Sequence, residues 1–559
     1  METLPRLLAV SAAPGHPGPA PETLDPGLTG EAAALVLNPR DHSYAALSTA
    51  DLRKRVTTGE GLAEIAAPFA AVASDGASLT IAADQLGLRQ LYGVRGDGWA
   101  AVSTSARRLG LLAGAGLDRD ALGVYRLIGH HLDEDTAFSG VVKMPAGHRW
   151  TLADGRLTET PCPAGDFATD RVPTVDEAVR ELTTVLRTAM ERCLDEYPDA
   201  VLQLSGGLDT RMLLAAIPPA RRTGLRALTL GSPDNSDHAA ATVLAERYQM
   251  RRDVIDLAAL GRLEPAEVHR LVQRAGLKHE QVLSPIHFGM LEWVEEQTSD
   301  VPRISGFGGE LARGMYYPLQ RQHPRVTPRL VERLARWRIF SLDPVDSACL
   351  DADFARESEA AALDRLQTIF AGYGTDWLSA TDAYYYRQRY HRAVGAVVTS
   401  SCLEHTVLSP LLHPRFVAIA EALPPEAKRG SAFNARVLAA LDPELAAIPM
   451  DTGVRPDALM APRPVALART GRDYAVKASH KIRQRVFKRG DSGAVTSALT
   501  GSLVAHWRAY PGLLEPVAAT GLLSQEWLER LLSGEITPAP VTAGFVALLE
   551  AATSSKKAE

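Results

Sequence analysis

The stretch AVLQLSGGLDTRMLLAAI, residues 200–217, decides how this chain is read. An apolar run, AVLQL, feeds into Ser205, Gly206, Gly207, Leu208 and Asp209, and TRMLLAAI then continues with helical spacing. Strand, glycine turn and helix is the predicted geometry. The two glycines let the backbone bend sharply and approach a ligand, and the N–H groups opening the helix face an anion with no side chain in the way. Such a turn is a phosphate cradle, to which Ser205 and Thr210 add hydroxyls and Asp209 a carboxylate suited to a divalent cation.

The string has neither the Gly-Lys-Ser/Thr ending of the Walker loop nor the three-glycine spacing of the dinucleotide fingerprint. It resembles instead the SGGxD(S/T) loop of ATP pyrophosphatases, which bind ATP, adenylate a substrate and release pyrophosphate. That resemblance implies ATP and Mg²⁺ as cofactors, with Leu204, Ser205, Gly206, Gly207, Leu208, Asp209 and Thr210 around the phosphates.

A second glycine-rich end, RISGFGGELARG at residues 303–314, repeats the pattern with Ser305, Gly306, Gly308, Gly309 and then Glu310. If its strand lies beside the first, Asp209 and Glu310 converge on the same phosphates, and two carboxylates suit a hard, oxygen-seeking Mg²⁺. Between the two lies TLGSPDNSDHAAATVLAERY, residues 229–248. In the resembling proteins this segment holds the adenosine, which implies Leu230, Gly231, Ser232, Ser305 and Gly306 as nucleotide contacts.

At 559 residues the chain is too long for one ordinary core. A net charge of -6 argues against a general nucleic-acid or membrane-surface role, and the one basic run, KASHKIRQRVFKRG at 477–490, is read as a solvated helix face. No apolar run reaches membrane-spanning length and no signal core opens the chain, so a cytoplasmic protein is expected. The four cysteines, Cys162, Cys193, Cys349 and Cys402, lie far apart and read as idle thiols.

Short alternating segments up to about residue 160, among them FAAVASD, SLTIAAD and WAAVSTS, predict antiparallel sheets. TETPCPAGDFATDRVPT, residues 158–174, then reads as a linker before the amphipathic helix VDEAVRELTTVLRTAMERCL, with Thr174 as its N-cap. From residue 175 strands (AVLQLSGG, RALTLGS, DVIDL, PRISGFGG) alternate with helices, which predicts a parallel sheet binding ligands at its carboxyl end. Beyond about residue 325 the pattern is helical, and AATSSKKAE at the end reads as disordered. The expected fold is α/β, with an amino-terminal α+β domain over residues 1–165 and a parallel α/β domain with a helical carboxyl part over 175–550.

Taken together, these strings resemble the asparagine synthetases and their relatives, the β-lactam synthetases and lasso-peptide cyclases. ADQLGLRQLYGV (83–94) is similar to the family's D-x-x-G-x-x-x-L-Y segment, and LSGGLDTR, SGFGGE and SPLLHPRFVAIAEALPPEAKR follow in the family's order. The resemblance implies a class II amidotransferase-like front domain and an ATP-pyrophosphatase synthetase domain. The departures narrow the function. Position 2 is Glu2 where a glutaminase exposes its nucleophilic cysteine, and the family's NGE loop is missing, so no glutaminase chemistry is expected. Phe307 stands where asparagine synthetases have a glutamate, an aromatic position that β-lactam synthetases share. The family's late catalytic lysine has no match in MDTGVRP, where Asp451 is nearest in register and Lys428, Arg436 and Arg455 are the cations close by.

The resulting expectation is an AMP-forming amide ligase that adenylates a carboxylate and joins it to an amine, in specialised metabolite biosynthesis. Lys428 or Arg455 is expected to replace the lysine, and Tyr385, His391, Glu404 and His405 are candidate bases or orienting groups, Glu404 being the one carried forward as catalytic. The alternatives are intramolecular closure to a β-lactam or macrolactam, and a catalytically silent scaffold. Expected partners are small-molecule or peptide carboxylates and amines, with no nucleic acid and no membrane; a homodimer is the one assembly entertained.

Overall fold

The computed structural model describes residues 7–16, 32–163, 172–231, 236–298, 300–317, 325–340, 344–460 and 491–554. Ser232, the basic run at 477–490 and the tail from 555 lie outside the described residues.

Among the described residues nine strands build the front of the molecule: β1 (Leu8–Ala12), β2 (Ala32–Ala34), β3 (Ala70–Ser74), β4 (Leu79–Ala83), β5 (Tyr92–Gly96), β6 (Trp99–Ser103), β7 (Val141–Lys143), β8 (His148–Ala153) and β9 (Arg156–Pro161). They form two antiparallel sheets, in the orders β1-β6-β5-β7 and β2-β3-β4-β8-β9. Side chains alternate between faces with period two, and β3 uses both faces. Ala70 and Val72 meet Ile81, Val102, Trp150 and Leu152 between the sheets, while Ala71 and Ala73 meet Leu52 and Val56 of the helix Thr49–Thr58. The other sheet is covered by the helices Ala106–Ala113 and Arg119–Ile128, through Leu109, Leu122 and Tyr125. The result is helix, sheet, sheet, helix. β9 takes in residues 158–161, so the first part of the expected linker is a sheet edge instead, paired with β8 from His148↔Pro161 onward.

Thr174 caps the helix Val175–Glu196 as its sequence predicts, with Glu177 completing a reciprocal capping box. Strands β10 (Val201–Gln203), β11 (Arg226–Leu230), β12 (Arg251–Ile255), β13 (Arg303–Ile304) and β14 (Val407–Leu408) form one parallel sheet in the order β12-β11-β10-β13-β14. β12 sits two residues earlier than DVIDL predicts, because Asp256 leaves the strand to accept the Ala258 N–H at 2.9 Å and open a 3₁₀ turn. The helical carboxyl part is present, and its last helix runs to Thr553, so residues 551–553 of the predicted disordered tail are ordered on buried Ala551 and Ala552. Among the described residues no helix is long and apolar enough to cross a membrane.

The two parts meet at the turn carrying the D-x-x-G resemblance. The Asp84 carboxylate accepts N–H groups of Phe69, Leu86 and Leu88 at 3.0–3.2 Å, and Gly87 has φ of 59°. A Cβ at Gly87 would stand 2.6 Å from the His391 ring, which itself bonds Leu86 O at 3.0 Å.

Candidate active site

β13 pairs directly with β10, so the two glycine loops leave neighbouring strands at the same end of the sheet. The first loop folds around its hydroxyls. Ser205 Oγ and Thr210 Oγ1 lie 3.1 Å apart, and the Gly207 N–H donates to Ser205 Oγ at 3.2 Å. The helix Leu208–Ala216 follows, with no side chain capping its start, so the N–H groups of its first turn have no intrahelical acceptor.

One feature narrows the predicted cradle. The Gly206 N–H donates to Asp237 Oδ1 at 2.7 Å, which leaves the first helical turn, and not both glycines, to face an anion. Asp237 opens the helix Ser236–Arg247, and Asp451 stands on the same side, its Cβ 3.1 Å from where a Gly206 Cβ would be. Burial, and then Asp451, hold the Asp237 carboxyl above its ordinary range despite the Gly206 bond. Arg211 is wholly buried beneath the loop, with its guanidinium on the carbonyls of Gly206, Ile448 and Pro449, which ties residues 448 and 449, just before Asp451, to the loop.

The second loop reaches the first through its lack of side chains. A Cβ on Gly309 would fall 2.3 Å from Asp209 Oδ1, one on Gly306 2.9 Å from Thr210 Cγ2, and one on Gly308 2.4 Å from Leu411 O. Glycine is what lets Asp209 and Glu310 share one space. Burial, and then the charge of Asp209, push Glu310 up to about 7; burial also raises Asp209. The phenols of Tyr385 and Tyr390 are held well above their ordinary value, first by burial and next by the Glu310 charge.

Two residues that sequence reasoning missed complete the site. Arg313 Nη2 donates to Asp209 Oδ2 at 2.7 Å, and Asn434 Nδ2 donates to Gly309 O at 2.8 Å while reaching Asp209 Oδ1 at 3.4 Å. The Asn434 Oδ1 is buried with no hydrogen-bond partner among the described residues. Arg313 lies one helical turn beyond Glu310, a spacing that could have flagged it; Asn434, 125 residues from Gly309, gave no local signal.

The other expected residues fall elsewhere. Lys428 is buried, with its ammonium 3.0 Å from Asp382 Oδ2 and 2.9 Å from Tyr386 Oη. Arg455 is half-exposed and forks onto Asp457. Glu404 pairs with Arg274 and Lys278, and His405 with Glu295, just before β14, at the end of the sheet remote from the glycine loops. His391 packs against the front sheets and their turn, 3.0 Å from Lys143 Nζ. Leu230 ends β11, the neighbour of β10, and Gly231 follows it. Phe307 packs on the main core with its ring half-buried. All four cysteines are free; burial pushes the Cys162 thiol up to about 11 and the other three up to about 12, which disfavours thiolate chemistry.

The donor set fits a magnesium nucleotide. Among the described residues no three His, Cys, Asp or Glu side chains group to hold a metal by themselves. One or two carboxylates plus phosphate oxygens is the usual Mg²⁺ arrangement, and Asp209 with Glu310 beside an uncapped helix start would supply the protein's share if a magnesium nucleotide bound here. No family model matches the chain, and no curated protein matches it.

Proposed function

We propose that this protein is an ATP-dependent, AMP-forming amide ligase of asparagine synthetase type that uses an amine other than glutamine-derived ammonia. The observation that carries the reading is the meeting of Asp209 and Glu310, from adjacent parallel strands, at the uncapped start of the helix Leu208–Ala216. The similarity of both loop strings to those of asparagine synthetases supports it, and so do the raised thiols of all four cysteines, three of them buried and Cys162 half-buried, which disfavour a thiol nucleophile.

In the reaction a substrate carboxylate oxygen attacks the α-phosphorus of ATP. The new O–P bond forms as the bond to the bridging oxygen breaks, and its electron pair leaves with pyrophosphate. An amine nitrogen then attacks the acyl carbon; the C–N bond forms, the C–O bond to AMP breaks, and the nitrogen's proton passes to solvent. A divalent cation on Asp209 and Glu310 would neutralise phosphate oxygens. The chain's own part is positioning: the first-turn N–H groups of the helix face the phosphates, and the Ser205 and Thr210 hydroxyls shape the loop. A cytoplasmic setting goes with this reading, since ATP is its co-substrate.

The test is ATP–pyrophosphate exchange across a panel of carboxylic acids, followed by AMP and amide formation when amines are added. Exchange with at least one acid class is expected. ATP binding with no exchange across the panel would overturn the ligase and leave a silent scaffold; amide formation without an added amine would mark intramolecular closure.

A further inference from the structure

Adenylation builds negative charge on the departing pyrophosphate, and that charge needs a cation beyond the metal. Of the cations around the loops, three are committed. Lys428 is held by Asp382 and Tyr386 in a buried pair, Arg455 by Asp457, and Arg211 by three carbonyls. Arg313 differs. It follows Glu310 by three residues, is part-exposed, and bonds Asp209 through a single nitrogen. Its Nε–H is buried with no hydrogen-bond partner among the described residues, so half of its fork is unsatisfied. A planar guanidinium satisfied at one point by one carboxylate oxygen is matched better by a phosphate, which takes two parallel N–H bonds.

Resting on the ligase reading above, we infer that Arg313 is the catalytic cation of this site and exchanges partners: it neutralises Asp209 in the free protein and moves to the pyrophosphate oxygens once a metal-bound nucleotide occupies Asp209. In that role it stabilises the electron pair leaving with pyrophosphate as the carboxylate–phosphorus bond forms. It also keeps bare metal out, because a metal arriving without phosphate must displace Arg313 and leave it unpaired.

This exchange predicts opposite changes in two measurements. With the full chain, Mn²⁺ binding to the nucleotide-free protein is followed by electron paramagnetic resonance, and ATP–pyrophosphate exchange is assayed with an acid accepted by the unmutated protein. Arg313→Met should bind Mn²⁺ at least about tenfold more tightly, since its competitor is gone, while exchange falls about a hundredfold. A merely structural arginine would weaken both. Unchanged metal affinity with exchange within about threefold of wild type overturns the inference and leaves the ligase reading intact. Should Arg313→Met fold poorly by circular dichroism, Arg313→Lys decides: the retained charge should keep Mn²⁺ affinity near wild type while loss of the fork lowers exchange about tenfold, and normal exchange overturns the inference. Failure of the unmutated protein to bind Mg·ATP in calorimetry would instead overturn the site reading, and this inference with it.

Discussion

The turn at residues 84–88 and the loop at residues 205–210 are built from the same parts: a strand that ends, a glycine, and a carboxylate near the first helical or turn N–H groups. They use those parts in opposite ways. Asp84 accepts three backbone N–H bonds, and its turn is packed against His391 and capped by Thr399, whose hydroxyl donates to Leu88 O at 2.8 Å. Among the described residues Asp209 accepts from two side chains and no backbone N–H, beside a helix start that no side chain caps. Burial raises both Asp84 and Glu310, so burial alone does not separate a structural carboxylate from a ligand-binding one. The neighbours do. For Asp84 the neighbours offset the effect of burial, through backbone N–H groups and Lys143, whereas for Glu310 the next largest influence is a second carboxylate. A buried acid raised by a second acid, whose own charge is met by a single arginine nitrogen, is a candidate place for a cation.

The largest expected effect tests that contrast at its open end. Asp209→Asn and Glu310→Gln should each lower ATP–pyrophosphate exchange about a thousandfold or more, because each removes a charge the phosphates require, while Tm shifts by no more than about 3 °C. Exchange near the wild-type rate in either variant breaks the two-carboxylate site. Asp84→Ala should behave in the opposite sense. Three buried N–H groups lose their acceptor at once, and about 3 kcal/mol or more of stability should go with them in denaturant unfolding. An Asp84→Ala protein as stable as wild type would erase the distinction between the two turns.

Lys428 sharpens the same comparison, because its position in the sequence and its position in the fold point to different roles. Near the vacant lysine position in the chain, it is nonetheless buried on Asp382, which also accepts the Tyr317 hydroxyl at 2.5 Å. Removing one partner of such a pair leaves a charge without compensation, so Lys428→Met should cost about 3 kcal/mol of stability. A stable Lys428→Met protein that binds ATP yet has lost exchange would return the missing cation to Lys428 and away from Arg313.

What the sequence made legible was local. SGGLDT and SGFGGE each carry their chemistry within a few residues of a strand end, so the loops, both acids and the strand-helix alternation could be read before their strands were known to pair. The antiparallel front was legible for the same reason, since FAAVASD and SLTIAAD alternate with a period the pleat enforces. What escaped depended on distant packing. β14 is two residues long and has no periodicity of its own, and it exists because Ile304 pairs with Leu408. Asn434 reaches Gly309 from a helix that nothing in its own sequence marks as part of the site. Glu404 is a candidate base by residue type, but it sits before β14 rather than after it, and a parallel sheet gathers its ligands only at the other end.

The smallest expected effect is a stability change in the ligand-free protein, and it follows from the proton on Glu310. The carboxyl titrates at about 7 in the folded chain against the ordinary glutamate value when unfolded. Between those two values the folded state holds a proton that the unfolded state has released, so stability falls as pH rises through the window and levels off above about 7. Glu310→Gln removes this dependence, because an amide has nothing to release. The variant should therefore match wild type near pH 4 and exceed its Tm near pH 8, by a few degrees, in metal-free buffer. Adding Mg·ATP at pH 8 should reverse the order, since only the wild type gains a ligand for its second carboxylate. Equal thermal stability of the two proteins at both pH values would mean that Glu310 meets solvent rather than Asp209, and the two loops would then no longer share one site.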